Sequence, residues 1–291
     1  MDGVDHDDIC ARASRYVIGR QCRNGGFCFY RNEHLEESNL SDTWHALASL
    51  KLLGTAIPGT QELDAWLEGI DPGGLHPEAL HDWVFSRQML RADWQPDPQT
   101  CRRIAAMELL PSQREGGVSY SLPALLRIVR LKSGFSTLER PADLLAWLNR
   151  HHHGGYGDKP NLQETAQALE LLAAFGTPDQ SAATRAFVDS LQSPIMGFNN
   201  TPDSRYCRLD ILLAGVRCCS LLNLPILHAE VIAKTVFSAQ REDGAFADVP
   251  GALPNLETHY SALRLLDLLQ RLHRPGSDRS NQAAGSRGHD R

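Results

Sequence analysis

The chain has 291 residues, 42% of them hydrophobic, and carries 29 basic against 35 acidic side chains for a formal net charge of −6. That length exceeds an ordinary single domain but suits one closed array of repeats, with enough apolar material for a core. The acidic balance argues against a nucleic-acid or anionic-membrane partner, because phosphate binding relies on a basic face, and no run approaches the roughly 18 apolar residues of a membrane span.

In chain order, the opening Met1-Asp2-Gly3-Val4-Asp5-His6-Asp7-Asp8 is acidic and polar, unlike a signal peptide. Its Asp5-His6-Asp7-Asp8 run reads as an acidic cap on a first helix that ends near Arg20-Gln21. Gly25-Gly26-Phe27 follows, and this small-small-apolar signature recurs as Gly73-Gly74-Leu75, Gly116-Gly117-Val118, Gly154-Gly155-Tyr156, Met196-Gly197-Phe198 and Gly244-Ala245-Phe246. From Gly26 the steps are 48, 43, 38, 42 and 48 residues, the range of two-helix repeats. Helical segments precede the signatures, several ending in glutamine near a basic or polar residue: Arg20-Gln21, Gln113-Arg114, Gln192-Ser193 and Gln240-Arg241. The glycines are expected at helix ends, where they permit a left-handed turn and close backbone approach.

After each signature comes a polar loop and a second, more apolar helix. These read Asp42 to Leu53, Glu78 to Met89, Ser121 to Lys132, Glu164 to Phe175, Asp210 to Leu221 and Glu257 to Leu268. Pro123 sits near the start of the third, where a missing N–H costs least. Helices apolar on most faces are buried. The first helices, such as Ala142 to Arg150, are more amphipathic. The expectation is an all-α toroid over residues 1–272, with six inner and six outer helices, and a disordered Gly/Ser/Arg-rich tail over 273–291.

Seven cysteines, Cys10, Cys22, Cys28, Cys101, Cys207, Cys218 and Cys219, include no Cys-x-x-Cys. An odd, unpatterned set speaks against a disulfide framework and for a reducing cytoplasm. His151-His152-His153 reads as loop, since three adjacent histidines do not easily converge on one metal. The acids Asp42, Glu78, Glu164, Asp210 and Glu257 all open second helices and should ring one mouth, as helix caps or as a functional set that moves a proton or holds Mg²⁺ against a diphosphate. Arg127, Arg130, Arg217 and Arg264 stand inside apolar helices and need a carboxylate or an anionic ligand.

The element Gln21-Cys22-Arg23-Asn24-Gly25-Gly26-Phe27 resembles the repeat of protein prenyltransferase β subunits and squalene–hopene-type (class II terpene) cyclases. So do Asn39-Leu40-Ser41-Asp42-Thr43, Asn161-Leu162-Gln163-Glu164-Thr165 and Asn255-Leu256-Glu257-Thr258, at inner-helix openings. The resemblance covers about residues 10–270. It implies an isoprenoid-processing enzyme whose central cavity takes a prenyl chain. Trp44, His45, His81, Trp83, Phe85, Tyr260 and Arg264 are the candidate lining residues, though aromatics also pack between helices.

In class II cyclases the resemblance assigns the proton donor to the middle Asp of Asp-x-Asp-Asp at an inner-helix start. Here the 39–42 and 161–164 elements keep the last acid and place Ser41 or Gln163 at the donor position. Asp42, Glu164 and Glu257, with Asp210 as alternate, are the candidate acids. The prenyltransferase zinc positions fall on Asp210, Leu212 and Glu257, without the Cys and His. Zinc is not expected; a shifted Cys207, Asp210, His259 set is the alternative. A zinc prenyltransferase-like enzyme or a non-catalytic toroid binding a lipid or protein stays open, as do a protein partner and a homodimer.

Overall fold

The computed structural model describes residues 6–30, 36–109, 121–138, 141–179, 181–249 and 251–273. The expectations for Asp5, for Gln113-Arg114 and the Gly116-Gly117-Val118 signature, and for the tail beyond 273 lie outside these residues.

Among the described residues twelve α-helices alternate in role. The outer ones are α1 (His6–Ile18), α3 (Thr60–Glu68), α5 (Pro98–Ala106), α7 (Ala142–Arg150), α9 (Ala182–Ser190) and α11 (Ala229–Ser238). The inner ones are α2 (Leu40–Leu52), α4 (Pro77–Leu90), α6 (Leu122–Phe135), α8 (Leu162–Ala174), α10 (Leu209–Leu222) and α12 (Leu256–His273). Each inner helix packs on the next around the ring, and α12 packs on α2 to close it. This is the expected all-α toroid.

Burial explains the two classes. An outer helix commits residues four apart to the core: Ile9 and Ala13, Leu63 and Leu67, Thr100 and Ile104, Leu144 and Leu148, Thr184 and Val188, Ile232 and Val236. That is one stripe of a 3.6-residue helix. Fully burying a Leu, Ile or Val stabilises by about 1.5–3 kcal/mol. Inner helices bury far more; ten of the fourteen residues of α10 are buried.

Four of the described signatures are not helix caps, as the glycines had suggested, but small hairpins after the outer helices. Gln21 bridges Phe27, His152 bridges Tyr156 and Gln240 bridges Phe246. In the fifth repeat, β1 (Gln192–Ser193) pairs with β2 (Gly197–Phe198). The hairpin glutamine then clasps the next repeat. Gln21 Nε2 donates to its own Gly25 O (2.9 Å) and to Pro58 O ahead of α3 (2.8 Å). Gln192 Nε2 donates to Pro225 O (3.1 Å) and its Oε1 accepts Leu227 N–H (2.8 Å), ahead of α11. Gln240 Nε2 donates to Ile9 O (3.1 Å), so the last outer helix closes onto the first. In the fourth repeat His152 takes the glutamine's place, 2.7 Å from Thr184 Oγ1 of α9. The second repeat reverses the direction. Its Pro72–Gly74 segment is a 3₁₀ turn, and Arg103 from α5 donates back to Pro72 O and Leu75 O.

Glycine lets the hairpins approach that closely. Gly25 and Gly244 have φ of +86° and +88°, and a Cβ on them would overlap the backbone of Leu63 and of Arg12. Gly54 (φ +63°) has open space around its Cβ position. Gly54→Ala should therefore cost about 1 kcal/mol from backbone strain alone. Gly244→Ala adds overlap at the ring closure and should cost about 2 kcal/mol or more. Urea denaturation of both variants decides it; equal losses would show that closure does not depend on this approach.

Candidate functional site

Capping sets which side chains face the central space. Asn39, Ser121 and Asn161 are N-caps whose side chains accept N–H groups of Asp42, Ala124 and Glu164. Asn255 Oδ1 accepts Thr258 N–H (2.7 Å) at the start of α12. The acids are therefore not the caps, which corrects the sequence reading. They also fall into two classes. Asp42 and Glu164 are third helical residues, whereas Glu78, Asp210 and Glu257 are second.

That one-residue difference turns the side chains apart. Asp42 Oδ2 accepts Phe29 N–H (3.0 Å) and Asn39 Nδ2–H (2.6 Å), on the hairpin side. Glu164 lies against Gly157 of its own hairpin. Asp210 and Glu257 line the central cavity. So do residues at the second, fifth, sixth and ninth positions of the inner helices, the i, i+3, i+4, i+7 stripe of one helix face. From α8 the stripe supplies Gln163, Ala166, Gln167 and Glu170, and from α10 Asp210, Leu213, Ala214 and Arg217. The structure thus brings together Trp44, His45, His81, Tyr260, Arg127, Arg217, Asp210 and Glu257.

The cavity has two chambers. A polar one of about 270 Å³ lies among the N-terminal halves of the inner helices. A second, of about 720 Å³, lies toward their C-terminal ends and is lined by residues including Leu52, Phe85, Met89 and Val129. Trp44, His81, Arg130 and Tyr260 line both. Trp44 meets Tyr260 edge-on at 5.2 Å between centroids and His45 at 4.7 Å.

The charges in the polar chamber are unevenly matched. Glu170 takes Arg130 (3.2 Å) and Arg217 (3.1 Å), so two guanidiniums share one carboxylate. Arg127 lines the chamber without an ion pair among the described residues. Asp210 Oδ2 accepts from Gln163 (2.9 Å) and Arg208 (3.0 Å). Six helix N-termini add positive dipole ends. The chamber suits an anionic group beside an apolar chain. Glu170 and Asp82 escaped the sequence reading; counting the stripe from the Asn161 cap would have found Glu170.

Two candidates lie elsewhere. Trp83, seventh in α4, is buried, donates Nε1–H to Leu67 O of α3 (2.8 Å) and meets Trp94 edge-on. Arg264 pairs with Asp267 (2.7 Å) within α12.

The shifted zinc set does not assemble. Cys207 precedes α10 rather than sharing a helical face with Asp210, and its thiol donates to Met196 O (3.3 Å). Burial, with Asp248 and Asp210 near, pushes that thiol up to about 11, away from the thiolate a metal needs. His259 is wholly buried. Its Nδ1 accepts Phe246 N–H (3.3 Å), the job that Thr43 and Thr165 do for Phe27 and Tyr156. Among the described residues no three His, Cys, Asp or Glu side chains converge as a metal site. The Cys207, Asp210, His259 set does not fit zinc.

Burial lowers His259 to about 3 and also lowers His45 and His81, for which the nearby acids only partly compensate. Folded-state values below the ordinary 6.5 mean that the unfolded chain binds these protons first. The stabilisation is complete above pH 6.5 and is lost as pH falls toward the folded values. Each histidine can contribute at most about 1.4 kcal/mol per pH unit. Urea denaturation from pH 7.5 downward should show falling stability below about 6.5, and His259→Gln should remove one histidine's share. A flat profile to pH 5 would contradict the burial assignment.

No helix among the described residues is long and apolar enough to cross a membrane. The chain matches no curated protein. The family described as the prenyltransferase alpha-alpha toroid domain matches residues 1–95 and 104–284, nearly the whole chain. With six outer and six inner helices closed into a ring, the chain belongs to the prenyltransferase alpha-alpha toroid domain family.

Proposed function

We propose that the chain is an isoprenoid-processing enzyme resembling class II terpene cyclases, which folds a prenyl diphosphate in the central cavity and starts cyclisation with a proton from Glu257. The observation that carries this reading is the placement of Glu257. It is the second residue of α12, the donor position of the resembling motif, and it faces the cavity beside Tyr260.

The remaining groups divide the work. Arg127, Arg130 and Arg217 take the diphosphate, for which guanidinium forks and helix N-termini are suited. Mg²⁺ accompanies it as the counter-ion of the diphosphate oxygens. The chain folds past Trp44 and Tyr260 so that its terminal alkene meets Glu257. The chain displaces water from around Glu257. On transfer the O–H bond breaks, a C–H bond forms and the neighbouring carbon becomes cationic, facing aromatic rings that stabilise it. Asp210 already accepts from Gln163 and Arg208, so it positions the wall and is the alternate acid. Asp42 and Glu164 hold the hairpins in this reading.

A specific observation favours a second reading, a non-catalytic toroid that binds a lipid or protein. Phe29, Tyr30, Ile195, Tyr206 and Leu253 are exposed on the segments leading to α2, α10 and α12.

Purified protein incubated with C10, C15 and C20 prenyl diphosphates, with Mg²⁺ or EDTA, separates the two by mass spectrometry. The cyclase reading expects a cyclised product that keeps its diphosphate, and a loss of about 100-fold or more in turnover for Glu257→Gln with substrate still bound. Tight binding without turnover of any substrate supports the binding toroid instead.

A further inference from the structure

The second inner helix carries a pair of groups that proton donation by Glu257 does not use. His81 and Asp82 are 2% exposed each. His81 Nδ1–H donates to Asp82 Oδ1 at 2.9 Å, and no protein partner is found for Nε2 among the described residues. The ring lines both chambers, 5.5 Å from Trp44 and 4.7 Å from Phe85 between centroids. Asp82 is also in the wall of a separate crevice of about 320 Å³ between the starts of α2 and α4. Asn39, Ser41, His76 and Glu78 line that crevice, and Arg127 lines both it and the polar chamber.

We infer that His81 is the base that ends the reaction and that Asp82 orients it and passes the proton toward the side crevice. This rests on the cyclase reading above. The Nδ1 bond fixes the tautomer, leaving the Nε2 lone pair available to the cavity. Nε2 takes a proton from a carbon next to the cationic centre, and the C–H electron pair becomes the new C=C bond. The imidazolium so formed is paired with the Asp82 carboxylate; its Nδ1 proton passes through Asp82 to crevice water, and once product leaves, water reprotonates Nδ1 and removes the Nε2 proton, which restores the starting tautomer. Glu257, left as carboxylate, recovers a proton from solvent once product departs.

Burial keeps His81 below its ordinary value, so the ring is neutral and ready to accept near pH 7. Weak basicity is no obstacle, because hydrogens beside a carbocation are far more acidic than an imidazolium; placement decides which one leaves. His45 is less suited. Its Nδ1–H donates to Ser41 O of its own helix (2.7 Å), so unlike His81 it is not hydrogen-bonded to a carboxylate that could pass a proton on. A carboxylate in a buried pair with nothing to receive would also be costly, which the relay role explains.

The test has two readouts on the full chain. Nitrogen-15 NMR of the wild-type histidines should show His81 neutral with the proton on Nδ1; a proton on Nε2 overturns the proposal whatever the activity. Product analysis then compares wild type with His81→Phe, which keeps a packed ring, and with Asp82→Asn. Cyclisation should continue in both variants. The wild-type alkene's share should fall about tenfold in His81→Phe, replaced by a water-quenched alcohol or a shifted double bond. Asp82→Asn should move the product the same way, less far, and change the histidine tautomer signal. An unchanged product profile with cyclisation intact overturns the base role alone. Absence of cyclised product from wild type overturns the cyclase reading, and the base role falls with it.

Discussion

The clasp between one hairpin and the next outer helix is what the rest of this structure depends on. Inner helices apolar on most sides would pack in many arrangements if burial alone directed them. The side chains of Gln21, Gln192 and Gln240 instead bind backbone at the neighbouring repeat, which fixes the rotation of those repeats about the ring. The bond from Gln240 to Ile9 joins segments 231 positions apart in sequence. Net contributions of about 1 kcal/mol per hydrogen bond are modest. Their value is that they leave one register in which both rings close.

Closure makes the cavity, and one stripe decides its chemistry. Once the rotation of each inner helix is set, its second, fifth, sixth and ninth residues face inward. Their composition changes around the ring. Trp44, His45, His81, Phe85 and Tyr260 make the α2, α4 and α12 side aromatic. Arg127, Arg130, Glu170 and Arg217 make the opposite side charged. An elongated ligand with one anionic end and one apolar body matches that asymmetry better than a uniformly polar or apolar one.

Much of this was legible in the sequence, and the losses have physical causes. The two-helix period, the inner and outer roles and the cavity placement of most lining residues follow from the spacing of glycine signatures and from apolar content. What the reading lacked was helix phase. Treating the acids as caps put Asp42 and Glu257 on one ring, when the asparagine caps place them a residue apart and about 100° around the helix. The same missing phase let Trp83 pass as a lining residue, though the seventh position faces α3. Asp82 and Glu170 were overlooked because a charge inside an apolar helix means little until its neighbour across the ring is known.

The separation of stripe from clasp also explains how a toroid can change chemistry without losing its fold. Clasping uses the hairpin glutamine or histidine and the fourth residue of some inner helices, while the stripe lines the cavity. Thr43, Thr165 and His259 all receive an aromatic residue's N–H at that fourth position. Read in isolation His259 looks like a stray ligand, but its partners give it the work of a threonine. His81, one position further along its own helix, faces the cavity and is paired with a carboxylate. A shift of one residue along a helix separates a histidine that holds the ring together from one that faces the cavity the ring encloses.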